Sequence, residues 1–95
     1  MSKFFEKAVL EKDIERKGCD FAFKRGWFEI KLVSPSRRAW PDRFYARRGR
    51  ILLVEWKRPG EEPTAQQAKL HRELRSYGVE VHWLISLEQA MELFQ

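Results

Sequence analysis

Apolar and polar residues follow two different periods along the 95-residue chain, and the switches between them mark its elements. From Phe4 to about Lys17 charged and apolar residues mix without Gly or Pro, which predicts a helix closed by Gly18. Trp27–Val33 and Ile51–Lys57 are rich in aromatic, aliphatic and β-branched residues and read as strands, with Gly26 and Gly49 as the turn signals before them. Thr64 and Gln67 stand in capping-box spacing at the head of a second helix that Gly78 ends. Val79–Ile85 is then a strand. Ser86 and Gln89 cap a last short helix, with Leu87, Ala90, Met91 and Phe94 on one apolar face. The order is helix, two or three strands, helix, strand, helix. Strands on both sides of a crossover helix imply an α/β sandwich, a mixed central sheet flanked by helices.

Composition narrows this to one compact domain spanning residues 1–95, since two cores do not fit in such a length. A hydrophobic share of 43%, with four Trp and seven Phe, supplies a core and argues against disorder. No apolar run approaches the roughly 20 residues that span a bilayer, and no membrane partner is expected. Met1–Lys7 carries Phe4, Phe5 and Glu6 without a small-residue cleavage site, so no secretory signal is expected and a cytoplasmic setting is. Cys19 is the single cysteine, which excludes an internal disulfide or a multi-cysteine metal site.

The net charge of +5 is unevenly placed. Arg37, Arg38, Arg43, Arg47, Arg48, Arg50, Lys57 and Arg58 face only Asp42 and Glu55 in the same stretch, a local balance of +6 that leaves the rest at −1. Arginine suits bidentate contacts to phosphate, so the pattern points to a polyanion, nucleic acid before membrane. A solvated basic loop is the plainer alternative.

Ile51-Leu52-Leu53-Val54 is an unbroken apolar run, the mark of a strand covered on both faces, and it leads into Glu55-Trp56-Lys57. Alternation puts Glu55 and Lys57 on one face and Trp56 on the other. Burying an unpaired carboxylate costs several kcal/mol, so Glu55 needs a cation, a metal ion or solvent. A salt bridge to Lys57 meets that need without any further chemistry. His71 and His82 have no His-x-x-x-His or Cys partner and read as structural or surface residues.

Pro41-Asp42 followed by Glu55-Trp56-Lys57 is the signature of PD-(D/E)XK nucleases, although two such short patterns coincide easily by chance. The longer ordered set is more specific. It comprises Ile30-Lys31-Leu32-Val33-Ser34-Pro35, Arg37-Arg38, Pro41-Asp42-Arg43, Val54-Glu55-Trp56-Lys57, Pro59-Gly60 and Gln67. Together these resemble the virus-type replication-repair nuclease (VRR-NUC) domain from Glu11 to about Ile85. The resemblance implies the restriction-endonuclease-like PD-(D/E)XK core, in the order α-β-β-β-α-β-α. It implies Asp42 and Glu55 as ligands of Mg²⁺ or Mn²⁺, with the Trp56 backbone carbonyl as a further ligand. Lys57 then positions or activates the attacking water, and Glu11 completes the metal shell directly or through water. Glu15 shares a helix face with Glu11, and family spacing alone selects Glu11.

Gln67 matches the family's helix glutamine, which faces the catalytic centre, and is equally the capping partner of Thr64. Lys31 contacts phosphate or an active-site carboxylate in the family pattern and is otherwise a surface lysine. Ala39 departs from the glycine many relatives have before Pro-Asp. Arg37, Arg38, Arg43, Arg47, Arg48, Arg50 and Arg58 are expected to bind DNA phosphates around Asp42. Trp40 reads as core or subunit interface ahead of a base-stacking role.

The resemblance implies a metal-dependent DNA endonuclease, structure-selective and resolving Holliday junctions as stand-alone phage and bacterial members of the family are taken to do. A nuclease this small grips little duplex alone, which favours a homodimer. A flap- or restriction-type nuclease is the rival within the class. A non-catalytic DNA-binding protein is the rival outside it.

Overall fold

A computed structural model describes residues 3–33 and 39–95, with side chains from residue 11 onward. The elements are α1 (Lys3–Lys24), β1 (Phe28–Lys31), β2 (Arg43–Arg47), β3 (Arg50–Trp56), α2 (Ala65–Ser76), β4 (Glu80–Leu84) and α3 (Leu87–Leu93). The sheet runs β1-β2-β3-β4. Its first two pairings are antiparallel and β3 with β4 is parallel, which makes it a mixed sheet. This is the α/β, PD-(D/E)XK-like core.

The first helix does not stop at Gly18. It continues to Lys24 and is closed where Trp27 N–H donates to Ala22 O (3.0 Å) and Gly26 adopts a φ of 85°. Gly18 is kept for space instead of for its backbone freedom. A Cβ there would lie 2.3 Å from Cη2 of the fully buried Trp56, so the indole ring of β3 is seated directly against the helix backbone.

The core lies between the sheet and the α1/α3 layer. Leu52, Val54 and Trp56, alternate residues of β3, meet Ala22, Trp27, Tyr45, Leu84, Ala90 and Phe94 there. Phe94 is the keystone of the aromatic part, with its ring 5.5 Å from Trp27 and 4.6 Å from Tyr45, while its carbonyl accepts from Trp27 Nε1 at 3.0 Å. Leu93 packs on this core and Met91 is exposed, so the inward face of α3 is rotated from the predicted one. Helix α2 begins with the expected capping box at Thr64 and Gln67. It covers the opposite face of the sheet, over β4.

Among the described residues nothing covers that opposite face over β1 and much of β2. Phe28, Ala46 and Ile51 are in register across three strands, as are Ile30, Phe44 and Leu53 in the next row. Phe28, Ile30 and Ile51 remain exposed.

The seating of Trp56 sets the sign of one substitution. In an ordinary helix interior Gly→Ala stabilises by about 0.5–1 kcal/mol. Here Gly18→Ala forces a methyl into the indole ring, and overpacking of this kind costs about 1–3 kcal/mol. Chemical denaturation of G18A is expected to give a net loss of stability, and a gain would remove the close packing of α1 on Trp56.

Candidate active site

Two backbone hydrogen bonds carry Asp42 to its place. Its N–H donates to Val54 O (3.0 Å) and its carbonyl accepts from Leu32 N (2.8 Å), so the residue before β2 is already held between β1 and β3. Its side chain then turns to β3, where Oδ2 accepts the Trp56 N–H at 2.8 Å. Because Trp56 is locked in the core, this bond fixes Asp42 beside the preceding residue, Glu55.

Glu55 is only 3% exposed. Its Oε2 lies 3.9 Å from Lys57 Nζ, and its Oε1 is buried without a hydrogen-bond partner among the described residues. Burial, and then the nearby Asp42, push its pKa up to about 9, against the opposing pull of Lys57. One lysine does not offset two adjacent acids. A third joins them, since the carboxyl of half-buried Glu11 is raised by burial and by Glu61 and Asp42, while Lys57 lowers it.

The two helix acids are therefore in different surroundings. Glu15 accepts from Arg43 Nε at 2.9 Å, whereas Glu11 lies in the field of Lys57 and Asp42. Glu61 was not among the candidate residues. The Pro59-Gly60 turn, with Gly60 at φ 83° and Glu61 N–H donating to Arg58 O, folds it back toward the site. Its Oε2 pairs with Arg58 Nη1 at 2.9 Å, and its Oε1 is buried with no partner among the described residues.

The arginines are not arranged as expected. β2 and β3 form a hairpin, so the chain leaves Asp42 and returns to Glu55, and Arg47 and Arg50 pair at the far end. Five residues at about 3.3 Å each put them roughly 16 Å away. Arg47 stacks over Trp27 at 4.4 Å and donates to Arg25 O, Phe94 O and Gln95 O. Arg50 forks onto Glu80, Arg48 occupies the hairpin turn at φ 49°, and Arg43 is shared between Glu15 and Glu29, each at 2.9 Å. Arg43, Arg47 and Arg50 are thus bound within the fold, and Arg47, Arg48 and Arg50 stand at the end of the hairpin away from Asp42. Arg58 stays near the site, paired with Glu61, and exposed Lys31 stands opposite Arg43 at the same end of the sheet. Arg37 and Arg38 lie outside the described residues.

Gln67 accepts the Thr64 N–H on its side-chain oxygen at 2.9 Å, so the capping role is the one made here. His82 pairs with Glu80 at 2.6 Å, both side chains half-buried. His71 is only 2% exposed, with Nε2 unpartnered among the described residues. Burial first, then Arg75 and Lys57, lower its pKa and favour the neutral ring. Trp40 is half-buried.

Among the described residues no group of three or more His, Cys, Asp or Glu side chains is placed to hold a metal ion. The acids nevertheless fit a hard divalent cation, because an unpartnered, buried oxygen of Glu55 beside Asp42 is a donor set with too little positive charge. Such a cation binds through few carboxylates and keeps several waters.

This α/β core is shared with nucleases. The chain is 40% identical over 74 residues, covering 77% of it and 80% of the relative, to "Putative nuclease p44" of Acyrthosiphon pisum secondary endosymbiont phage 1. It superposes with a TM-score of 0.80 and 26% identity on a solved structure described as a VRR_NUC domain, over 87% of this chain and 91% of that one. No protein-family model matches the sequence. The chain belongs to the VRR-NUC family.

The buried acid also predicts a pH signature for the metal-free protein. Its folded-state pKa of about 9 stands above the ordinary 4.5, so between those values the folded state holds a proton the unfolded state has lost. Stability falls as pH rises through that window, by at most about 1.4 kcal/mol per pH unit for one proton. Glu55→Gln removes this contribution, and denaturation from pH 5 to about pH 9 in EDTA is expected to show a flatter slope for E55Q. An unchanged slope would mean that Glu55 ionises freely.

Proposed function

We propose that the chain is a divalent-metal-dependent DNA endonuclease selective for branched structures, acting as a homodimer that resolves four-way junctions. The observation that carries it is the buried, unpartnered Glu55 oxygen held beside Asp42 with Lys57 at 3.9 Å. Asp42 and Glu55, with the Trp56 carbonyl and Glu11 directly or through water, would hold Mg²⁺ or Mn²⁺. When bound, the ion lowers the pKa of a water and neutralises charge on the scissile phosphate.

The remaining tasks fall to the chain itself. The Trp56 N–H orients Asp42 so that its oxygens converge with those of Glu55. Lys57, on the same strand face as Glu55, orients the attacking water and stabilises the added negative charge of the transition state. Gln67 holds the first turn of α2 in place through the cap and is a positioning residue in this reading. Lys31 and Arg58 hold flanking phosphates, and Arg37 and Arg38 are assigned the same task on the family pattern. Since Arg43, Arg47 and Arg50 are bound within the fold, a non-catalytic protein gripping DNA by its basic cluster alone is the less supported reading.

Pairing is supported by the bare apolar rows of the sheet. Phe28, Ile30 and Ile51 are 58%, 47% and 53% exposed on one face, the kind of patch that marks an interaction surface. Two copies joined by a twofold suit the symmetry of a four-way junction.

With Mg²⁺ or Mn²⁺ the protein is expected to cut a four-way junction in preference to a flap or linear duplex, and EDTA to stop it. Asp42→Asn and Glu55→Gln abolish cleavage while binding persists, and Lys57→Ala lowers it by about 10²–10⁴. Cutting of flaps or linear duplex alone would remove junction selectivity. Cleavage unaffected by D42N and E55Q would remove the site. Sedimentation is expected to give a dimer that Ile30→Glu converts to monomer, and a wild-type monomer would end the paired arrangement.

A further inference from the structure

A second feature of the molecule lies one strand away from the acids and is not used by them. Trp83 is directly opposite Glu55 in the parallel pairing of β3 and β4, so both side chains stand on the face that α2 covers. Its ring is 39% exposed. Trp83 lines a cavity of about 310 Å³ with Glu62, Pro63, Ala68, His71, Arg72 and Arg75. That is the lower end of the range that holds organic ligands, about 300–1,000 Å³.

The composition of this cleft is unusual for a helix packed on a sheet. Ala68, His71, Arg72 and Arg75 recur at the spacing of one helix face, where an apolar stripe is the rule. The Arg75 guanidinium is held by Val81 O at 2.8 Å, which fixes a cation beside β4. His71, 2% exposed, offers a buried Nε2 with no partner among the described residues. By contrast with Trp27, whose face is covered by Arg47 and Arg50, no arginine stacks on Trp83 among the described residues. An uncovered indole face and two cations are the elements of a nucleotide site. The aromatic stacks a base and the arginines take a phosphate.

We propose that the cleft between α2 and the end of β4 receives an unpaired nucleotide of the substrate strand, with its base on Trp83 and its phosphate on Arg72 and Arg75. This rests on the nuclease reading of the neighbouring acids, and it gives that site a reason to prefer branched DNA. A duplex keeps its bases stacked, whereas a branch point supplies a nucleotide free to enter the cleft.

The test uses the full chain in EDTA, so that binding is read without cleavage. The probes are an oligothymidine of about eight nucleotides and a blunt duplex of similar charge. Trp83→Ala is expected to weaken oligothymidine binding about tenfold and duplex binding less than about twofold, and Trp83→Phe to keep most of the wild-type affinity. Arg72→Gln lowers the slope of log K against log salt by about one. Bound oligothymidine shields the wild-type protein from iodide quenching, a protection largely absent in W83F, which shows that Trp83 itself is covered whether or not W83A folds well. Wild-type oligothymidine affinity in W83A, equal weakening on both probes, or shielding that survives in W83F would each overturn the site. Absence of cleavage by the wild type with Mg²⁺ or Mn²⁺ would overturn the nuclease reading separately, since stacking is measured without metal.

Discussion

The hydrogen bond from the Trp56 backbone to Asp42 depends on a side chain pointing the other way. The Trp56 indole is fully buried against Gly18, so the end of β3 cannot shift without unpacking α1. With β3 fixed, its N–H presents a stationary donor at 2.8 Å from Asp42 Oδ2. Alternation along the strand then delivers Glu55 to the opposite face, beside the acid so placed. Packing in the core and the position of the acids are therefore two consequences of one strand end. The glycine in α1, unfavourable by about 1 kcal/mol in an isolated helix, is what allows both.

This placement is electrostatically costly. Burial first, and then Asp42 with a smaller part from Glu11, push Glu55 up to about 9 against the pull of Lys57, and burial and Glu61 raise Glu11. Such local destabilisation is common where a site is built for charge that arrives with a ligand. The arginines that could have relieved it are engaged elsewhere. Arg47 fastens the C-terminal residues to the hairpin and Arg43 bridges α1 to β1 through Glu15 and Glu29. Among the described residues the positive charge thus stabilises the scaffold at one end and leaves the acids short of cations at the other.

The elements with strong local signals were legible in the residues. The apolar run of β3, the Thr64/Gln67 capping box and Ser86 as the N-cap of α3 lie where their patterns place them. Glu55 could be picked out because an ionic residue ending a covered strand is rare, and Asp42 and Lys57 because they complete the Pro-Asp and Glu-x-Lys pattern with it. What the pattern hid was set by distant contacts. A glycine under an indole ring looks the same in sequence as a glycine ending a helix, and Gly18 was misread for that reason. Arg47, Arg48 and Arg50 are near Asp42 along the chain, but a hairpin turns nearness in sequence into separation in space. Glu11 and Glu15 share a helix face and differ only in the partner that tertiary structure brings to each. The cleft at Trp83 needed the β3–β4 register before its residues could be seen together.

The central claim is that the Asp42 and Glu55 carboxylates form one cation site. A crystal structure with Mn²⁺, located by its anomalous scattering, tests it most directly. The account predicts an ion within about 2.0–2.6 Å of oxygens from both residues. Mn²⁺ bound only elsewhere, with Glu55 still facing Lys57 alone, would contradict it.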